Sequence, residues 1–261
     1  MPNEVRSLRV EGVVLRHSDW GEADRLLLVY TRERGKLRAL AKGVRKLRSR
    51  KAGHLEPFTR VALMLARGRD MWIVTQAETV EAYLPLRDNL LKLGQAATVL
   101  ELVDRFGYEE GEDPGLYQLL TATLRRICEE EDAFLALRYF DLRVLDLFGF
   151  RPQLFHCARC GAEIKAEDQF FSALQGGVLC PRCGPQDPTA RPASVEALRF
   201  LRHIQRSNYT ESKRANIPAP IRSEMEQLLQ YYFTYHLERK LNSPDFLRRI
   251  RQNGRNGSAE G

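Results

Sequence analysis

Residues 25–41, Arg25-Leu26-Leu27-Leu28-Val29-Tyr30-Thr31-Arg32-Glu33-Arg34-Gly35-Lys36-Leu37-Arg38-Ala39-Leu40-Ala41, set the first half of the fold. The second run alternates charged or polar with apolar residues, the period of a strand with one buried face. Arg34-Gly35 supplies the turn between the two runs. The same texture continues in both directions. Upstream, Leu8, Val10 and Val14 alternate with Arg9 and Glu11. Downstream, Arg60-Val61-Ala62-Leu63-Met64-Leu65 and Met71-Trp72-Ile73-Val74-Thr75 are joined through Gly68-Arg69-Asp70, a hairpin signal. Five short strands within residues 6–83 predict a small closed or nearly closed barrel. An OB-fold has this strand count and size, and an SH3-like barrel fits the count almost as well.

From Leu84 the period becomes helical. Leu93, Ala96, Ala97, Leu100 and Val103 recur on one face. The acidic stretch Gly107–Gly115, with Pro114, reads as a loop, and helices resume over 116–130 and 134–148. Gly149 and Pro152 stop the last of these. A further helix begins after Ser194, a natural N-cap, and the longest runs from Ile221 to Leu241. The final stretch, 252–261, lacks apolar side chains apart from Ala259 and is expected to be disordered.

Between these helices lie Cys157-Ala158-Arg159-Cys160-Gly161 and Cys180-Pro181-Arg182-Cys183-Gly184, two CxxC knuckles separated by 19 residues. This is the spacing of a four-cysteine zinc site. Two intervening residues let both thiolates of a knuckle turn onto one ion, and the following glycine eases the backbone turn that aims amides at sulfur. Gln169–Ser172 and Gly176–Leu179 read as two short strands around a turn, which makes the segment a zinc ribbon. Four thiolates fill a tetrahedral ion, so Cys157, Cys160, Cys180 and Cys183 are expected to hold one structural zinc. Iron shares the same spacing, and two redox pairs are the metal-free alternative. His156 is not needed as a ligand, and Cys128 reads as a small buried hydrophobe.

The expected class is therefore α+β and multidomain. An N-terminal five-stranded OB-fold barrel (1–80) precedes an all-α domain in two parts (81–152 and 189–251), with the zinc ribbon (153–188) inserted between them and a disordered tail (252–261). The two helical parts are expected to pack as one domain, because each alone exposes more apolar surface than it can cover.

The net charge of +7 is unevenly spread. Residues 1–80 carry 17 Lys/Arg against 9 Asp/Glu, residues 81–150 carry 7 against 14, and residues 151–261 carry 17 against 11. Basic regions thus flank an acidic one, which suits a chain that binds a polyanion. The densest run is residues 36–51, where Lys36, Arg38, Lys42, Arg45, Lys46, Arg48, Arg50 and Lys51 stand without an acid among them. The run lacks the apolar helical face of a membrane-surface segment, so nucleic acid is the expected partner. Trp20, in the polar stretch Ser18–Glu22, reads equally as a base-stacking residue or as packing on the barrel rim, whereas Trp72 and Tyr30 read as core.

No apolar run is long enough to span a bilayer, and residues 1–10 carry no apolar signal region, so a cytoplasmic protein is expected. The five histidines are scattered. No phosphate-binding glycine loop, nucleophile elbow or H-E-x-x-H motif is present. A binding protein rather than an enzyme is expected. A zinc-ribbon RNA-binding or transcription-associated protein is the rival reading, and a nuclease or hydrolase a more distant one.

Three stretches carry a family resemblance. Gly35–Lys46 followed by Leu55-Glu56-Pro57-Phe58-Thr59 resembles the N-terminal signature of the RecO family of bacterial DNA repair proteins. Leu137–Phe150 leading into Cys157 is similar to that family's helix-to-zinc transition, and Tyr235–Leu241 to its closing helix. The resemblance implies a recombination mediator in DNA repair, cytoplasmic and nucleoid-associated. It implies binding of single- and double-stranded DNA, annealing of complementary strands, and action with RecR to load RecA onto strands coated by single-stranded DNA-binding protein. Some family members lack the cysteines; this chain keeps all four.

Overall fold

The computed structural model describes residues 6–109, 111–237, 241, 243, 247 and 250. The stretch 252–261, expected to be disordered, lies outside them. Five strands, β1 (Ser7–Trp20), β2 (Asp24–Thr31), β3 (Gly35–Ala41), β4 (Arg60–Arg67) and β5 (Trp72–Glu81), close into a barrel in the order β1-β2-β3-β5-β4. This is the OB-like arrangement expected from the sequence. β1 is long enough to serve two neighbours. Its first half pairs antiparallel with β4 and its second half with β2, with a bulge between Val14 and Arg16 where it bends. Closure comes from a short parallel pairing of β3 with β5 at Ala39–Trp72 and Leu40–Ile73.

Alternation sorts the side chains as the pattern requires. Val14, Leu27, Val29, Leu37, Ala39, Val61, Leu63, Leu65 and Val74 fill the barrel. Val44 and Leu55, from the segment after β3, are buried in the same core. These two apolar residues pin the segment to the barrel, leaving Arg45, Lys46, Arg48 and Arg50 exposed between them. Trp20 is the last residue of β1, immediately before the turn to β2.

The chain divides into two compact units, Met1–Glu131 with Asn242–Gly261, and Asp132–Leu241. The division cuts across the single helical domain expected from the sequence, because α1 (Leu90–Phe106) and α2 (Pro114–Glu129) group with the barrel. The reason lies in β1 and β2, which bury Val13, Leu28 and Tyr30 outside the barrel core and so need a cover. Gly107, at the end of α1, supplies one contact: a Cβ there would stand 2.8 Å from the Tyr30 ring. Lys36 Nζ donates to the Asp104 carbonyl (2.7 Å), and the Tyr117 hydroxyl donates to Glu11 (2.8 Å). The chain returns to this unit after Leu241, where Ser243 donates its backbone N–H to Glu101 at 3.0 Å.

Glu11 is the polar hinge of that packing, accepting from both Tyr117 and Arg60. Burial would raise its pKa, but the hydrogen bonds from Arg60 and Tyr117 and the Arg60 charge outweigh it and hold the carboxyl below its usual value. A lowered folded-state pKa means stability that is full above the unfolded value of 4.5 and lost as pH falls through the folded one. Acid titration of the melting temperature of the first unit should therefore show a loss below about pH 4.5 that Glu11→Gln reduces. An identical acid limb in the variant would refute it.

The second unit is built from α3 (Phe134–Leu147), the strands β6 (Gln169–Ser172), β7 (Gly177–Leu179) and β8 (Arg191–Ala193), and α4 (Val195–Arg206), α5 (Tyr209–Ser212) and α6 (Ala219–His236). β6 and β7 are the two strands expected in the ribbon. β8 adds a third, giving the order β7-β6-β8, and its three residues with a central Pro192 carry no alternation to read. Proline is tolerated there because β8 is an edge. Ser194 caps α4 as expected, accepting from Ala197 N at 3.1 Å. Phe171 of β6 packs on Tyr232 of α6, ring centroids 5.4 Å apart, and Ala173 N donates to the Tyr231 hydroxyl. The ribbon therefore shares its core with the helices that flank it.

Candidate metal centre and nucleic-acid interface

The four cysteines of the two knuckles converge. Their Sγ atoms all lie within 4.8 Å of one another, and Cys160 and Cys180 are 3.8 Å apart. A tetrahedral ion with metal–sulfur bonds of about 2.3 Å separates its sulfurs by about 3.8 Å, so the spacing fits. Cys157, Cys180 and Cys183 are buried and Cys160 is exposed. His156 is exposed and outside the set.

Each knuckle turns its amides toward its first sulfur. Burial opposes ionisation of Cys157, yet backbone N–H groups of Cys160, Cys180 and Arg159 prevail and bring its pKa to about 6. Cys180 is likewise lowered against burial, by the amides of Cys183 and Arg182. Cys183 is pushed up to about 12 by burial and by the crowding of the other thiols. Four thiols that cannot all ionise together are the donor set a thiophilic cation completes. The set leaves no place for a substrate, so such an ion would hold structure.

The two glycines work differently. Gly161 adopts φ +73°, the left-handed turn expected after a knuckle. Gly184 does not. There a Cβ would fall 2.1 Å from the Phe170 ring, so glycine is required for close approach to β6. Exposed Arg159 and Arg182 occupy the same position in each knuckle.

On the barrel, a groove of about 540 Å³ runs over residues from every strand. Trp20, Arg34, Lys36, Arg38, Arg67 and Trp72 line it, together with Glu109. Trp20 is 49% exposed. Trp72 is half-buried: it packs against the barrel core, as expected, and also lines the groove. Its position opposite Arg67 in the β4–β5 pairing, with the guanidinium 5.3 Å from its ring, holds it at the groove.

The basic run 36–51 divides into three groups. Lys36 and Arg38 lie on the groove, Lys36 also paired with Asp104 (3.6 Å) and Arg38 with Glu109 (3.2 Å). Lys42, Arg45, Lys46, Arg48 and Arg50 are exposed on the turn after β3, held by Gly43 N donating to Asp24 (2.7 Å) and Arg45 N to the Ala23 carbonyl (2.9 Å). Among these five, Arg45 faces Asp19 at 3.3 Å. Lys51 is spent inward, its Nζ donating to the Val74 carbonyl at 3.0 Å. Sequence reading missed Arg34 and Arg67. Arg34 stands just before the run, beyond Gly35, and Arg67 lies well outside it, at the end of β4; both line the groove with Trp20 and Arg38. No helix among the described residues is long and apolar enough to cross a membrane.

Comparison with known proteins covers both parts of the chain. Residues 5–83 match the model "Recombination protein O N terminal", and residues 87–245 match "Recombination protein O C terminal". A DNA repair protein RecO of Roseiflexus sp. (strain RS-1) is 42% identical over 247 residues, covering 95% of this chain and 87% of the relative. That of Desulforudis audaxviator (strain MP104C) is 39% identical over 246 residues, covering 94% and 98%. That of Symbiobacterium thermophilum (strain DSM 24528 / JCM 14929 / IAM 14863 / T) is 32% identical over 245 residues, covering 93% and 97%.

Proposed function

The chain belongs to the RecO family, and on that premise we propose that it is a DNA-binding recombination mediator rather than an enzyme. In this reading it binds single- and double-stranded DNA and anneals complementary strands. With RecR it helps load RecA onto strands coated by single-stranded DNA-binding protein, at the nucleoid.

The observation that carries the reading is the barrel groove, where two tryptophans stand among Arg34, Arg38 and Arg67, beside the exposed cations of 42–50. Aromatic faces among cations suit a single strand, because every base has a face to stack and every nucleotide a phosphate. The guanidiniums would neutralise phosphate charge, and lower repulsion between two backbones is what annealing needs. Arg38 is held by an exposed carboxylate, Glu109, a contact that phosphate can replace at little cost. At the metal centre, Cys157, Cys160, Cys180 and Cys183 would hold one zinc, which ties the two knuckles of the ribbon together and takes no part in annealing.

A strand-annealing assay, with and without single-stranded DNA-binding protein on one strand, tests the function. Faster pairing of the coated strand is expected, without turnover of the DNA backbone. Same-length RNA should compete less well than DNA. No acceleration in either form, or strand cleavage that one acidic substitution abolishes, would refute it.

A further inference from the structure

α4 presents a second cationic surface, in the unit that does not contain the barrel. Arg199, Arg202 and Arg206 stand at i, i+3 and i+7, one face spread over about 10 Å of helix axis. The opposite face is packed, with Leu198, Leu201 and Ile204 buried. The guanidinium of Arg206 lies 4.7 Å from the Phe155 ring centroid, Arg202 lies 5.8 Å from the same ring, and Arg199 stands 5.0 Å over Phe200. Cations laid on rings are fixed in direction, and the exposed Arg199 and Arg206 keep outer N–H edges open to an acceptor.

This charge is not balanced from within. Among the described residues no carboxylate forms an ion pair with any of the three arginines. Arg202 spends Nε on the Leu154 carbonyl (2.6 Å), and its enclosed Nη2 has no acceptor. Burial, and the like charge of Arg206, both act against the Arg202 cation. The one acid of α4, Glu196, pairs with none of them, and three arginines held together in this way suit an external anion. A row of them, rather than a pocket, suits a polyanion.

We propose that the Arg199–Arg202–Arg206 face of α4, with Phe155, is a second site that binds the phosphodiester backbone of a nucleic-acid strand independently of the barrel. It rests on the nucleic-acid reading above and extends it, since annealing requires one molecule to hold two strands. The ring of Phe155 is already covered by guanidinium, so this site grips phosphates and does not stack bases. The barrel groove, with Trp20 exposed, provides the contrasting kind of contact.

The test is a salt series of anisotropy titrations with a labelled oligothymidylate and the full chain. Arg199→Gln with Arg206→Gln should flatten the slope of log affinity against log salt by about 1.4, at about 0.7 for each phosphate on a single strand. Arg199→Lys with Arg206→Lys keeps the charge and should keep the slope. Annealing by the glutamine pair should fall further than its single-strand binding. If the glutamine pair does not fold, Arg206→Gln alone, at an exposed position, should show about half the change. An unchanged slope in a folded glutamine variant overturns the proposal. So does a variant that keeps its slope but loses affinity for a polyglutamate peptide, which would make the face a protein-docking surface. Arg45→Ala, Lys46→Ala and Arg48→Ala together, run in parallel, separate the two readings. Should that variant bind like wild type while the glutamine pair loses slope, phosphate contact by the turn after β3 fails and the α4 site stands.

Discussion

Cys157→Ser is expected to strip the chain of its metal and to melt the second unit while sparing the first. Three thiolates cannot complete the cage, and a serine hydroxyl in the place of Cys157 also forfeits the amide donors of Cys160, Cys180 and Arg159 that favour the thiolate there. Structural zinc contributes apparent binding energies of about 10–16 kcal/mol near neutral pH. That is comparable to the ~5–15 kcal/mol by which a whole domain is stable. The loss spreads beyond the ribbon because Phe171 packs on Tyr232 and Ala173 is hydrogen-bonded to Tyr231, both on α6. Elemental analysis should give one zinc per chain for wild type and well under one for the variant. Calorimetry should show the transition of the second unit lost and that of the first retained. Cys128→Ser, half-buried in α2, is the control and should keep its metal. Iron in the wild-type protein, or a metal-free wild type with the same melting profile, would overturn the assignment.

Replacing Arg45, Lys46 and Arg48 together with Ala should flatten the salt dependence of DNA binding by about two to three units. Each phosphate contact adds roughly 0.9 to the slope on duplex and about 0.7 on single strands. All three side chains are exposed on the turn after β3, and the chain beneath them is fixed by Val44 and Leu55 in the barrel core. The melting temperature should therefore hardly move, because exposed charges contribute little to stability. Affinity at low salt should drop by similar factors for unrelated sequences, since phosphates carry no sequence information. An unchanged slope would confine the DNA surface of this unit to the groove lined by Arg34, Arg38 and Arg67, or move it to Arg248, Arg249 and Arg251, which lie outside the described residues.

The barrel and the metal ligands were legible in the sequence for the same reason: both announce themselves over a few residues. Alternation within 25–41 is a local consequence of pleating, and a CxxC pair is a local consequence of chelation. What escaped was set by contacts distant in the chain. The grouping of α1 and α2 with the barrel depends on Tyr117 reaching Glu11 and Gly107 meeting Tyr30, pairs that no window along the sequence contains. Trp72 comes beside the strand that carries Arg38 only through the pairing of β3 with β5, at Ala39 and 33 residues away in the chain. The basic run 36–51 was found by composition, which counts charges and says nothing of direction. Lys51 is thus counted there although its ammonium is turned onto Val74.

The first unit is made of two stretches of chain, and this has a consequence for the order of events on the ribosome. Glu101 on α1 and Ser243, which it accepts from, are 142 residues apart. At roughly 5–20 residues per second, about 7–28 s of synthesis separate them. The barrel, α1 and α2 can emerge and collapse in that interval, but the last contact with Ser243 cannot close until the whole metal-binding unit has been made. A chain stalled or cleaved within the second unit would therefore release a barrel with all its groove residues and without its final stitch, able to meet nucleic acid before the molecule is finished.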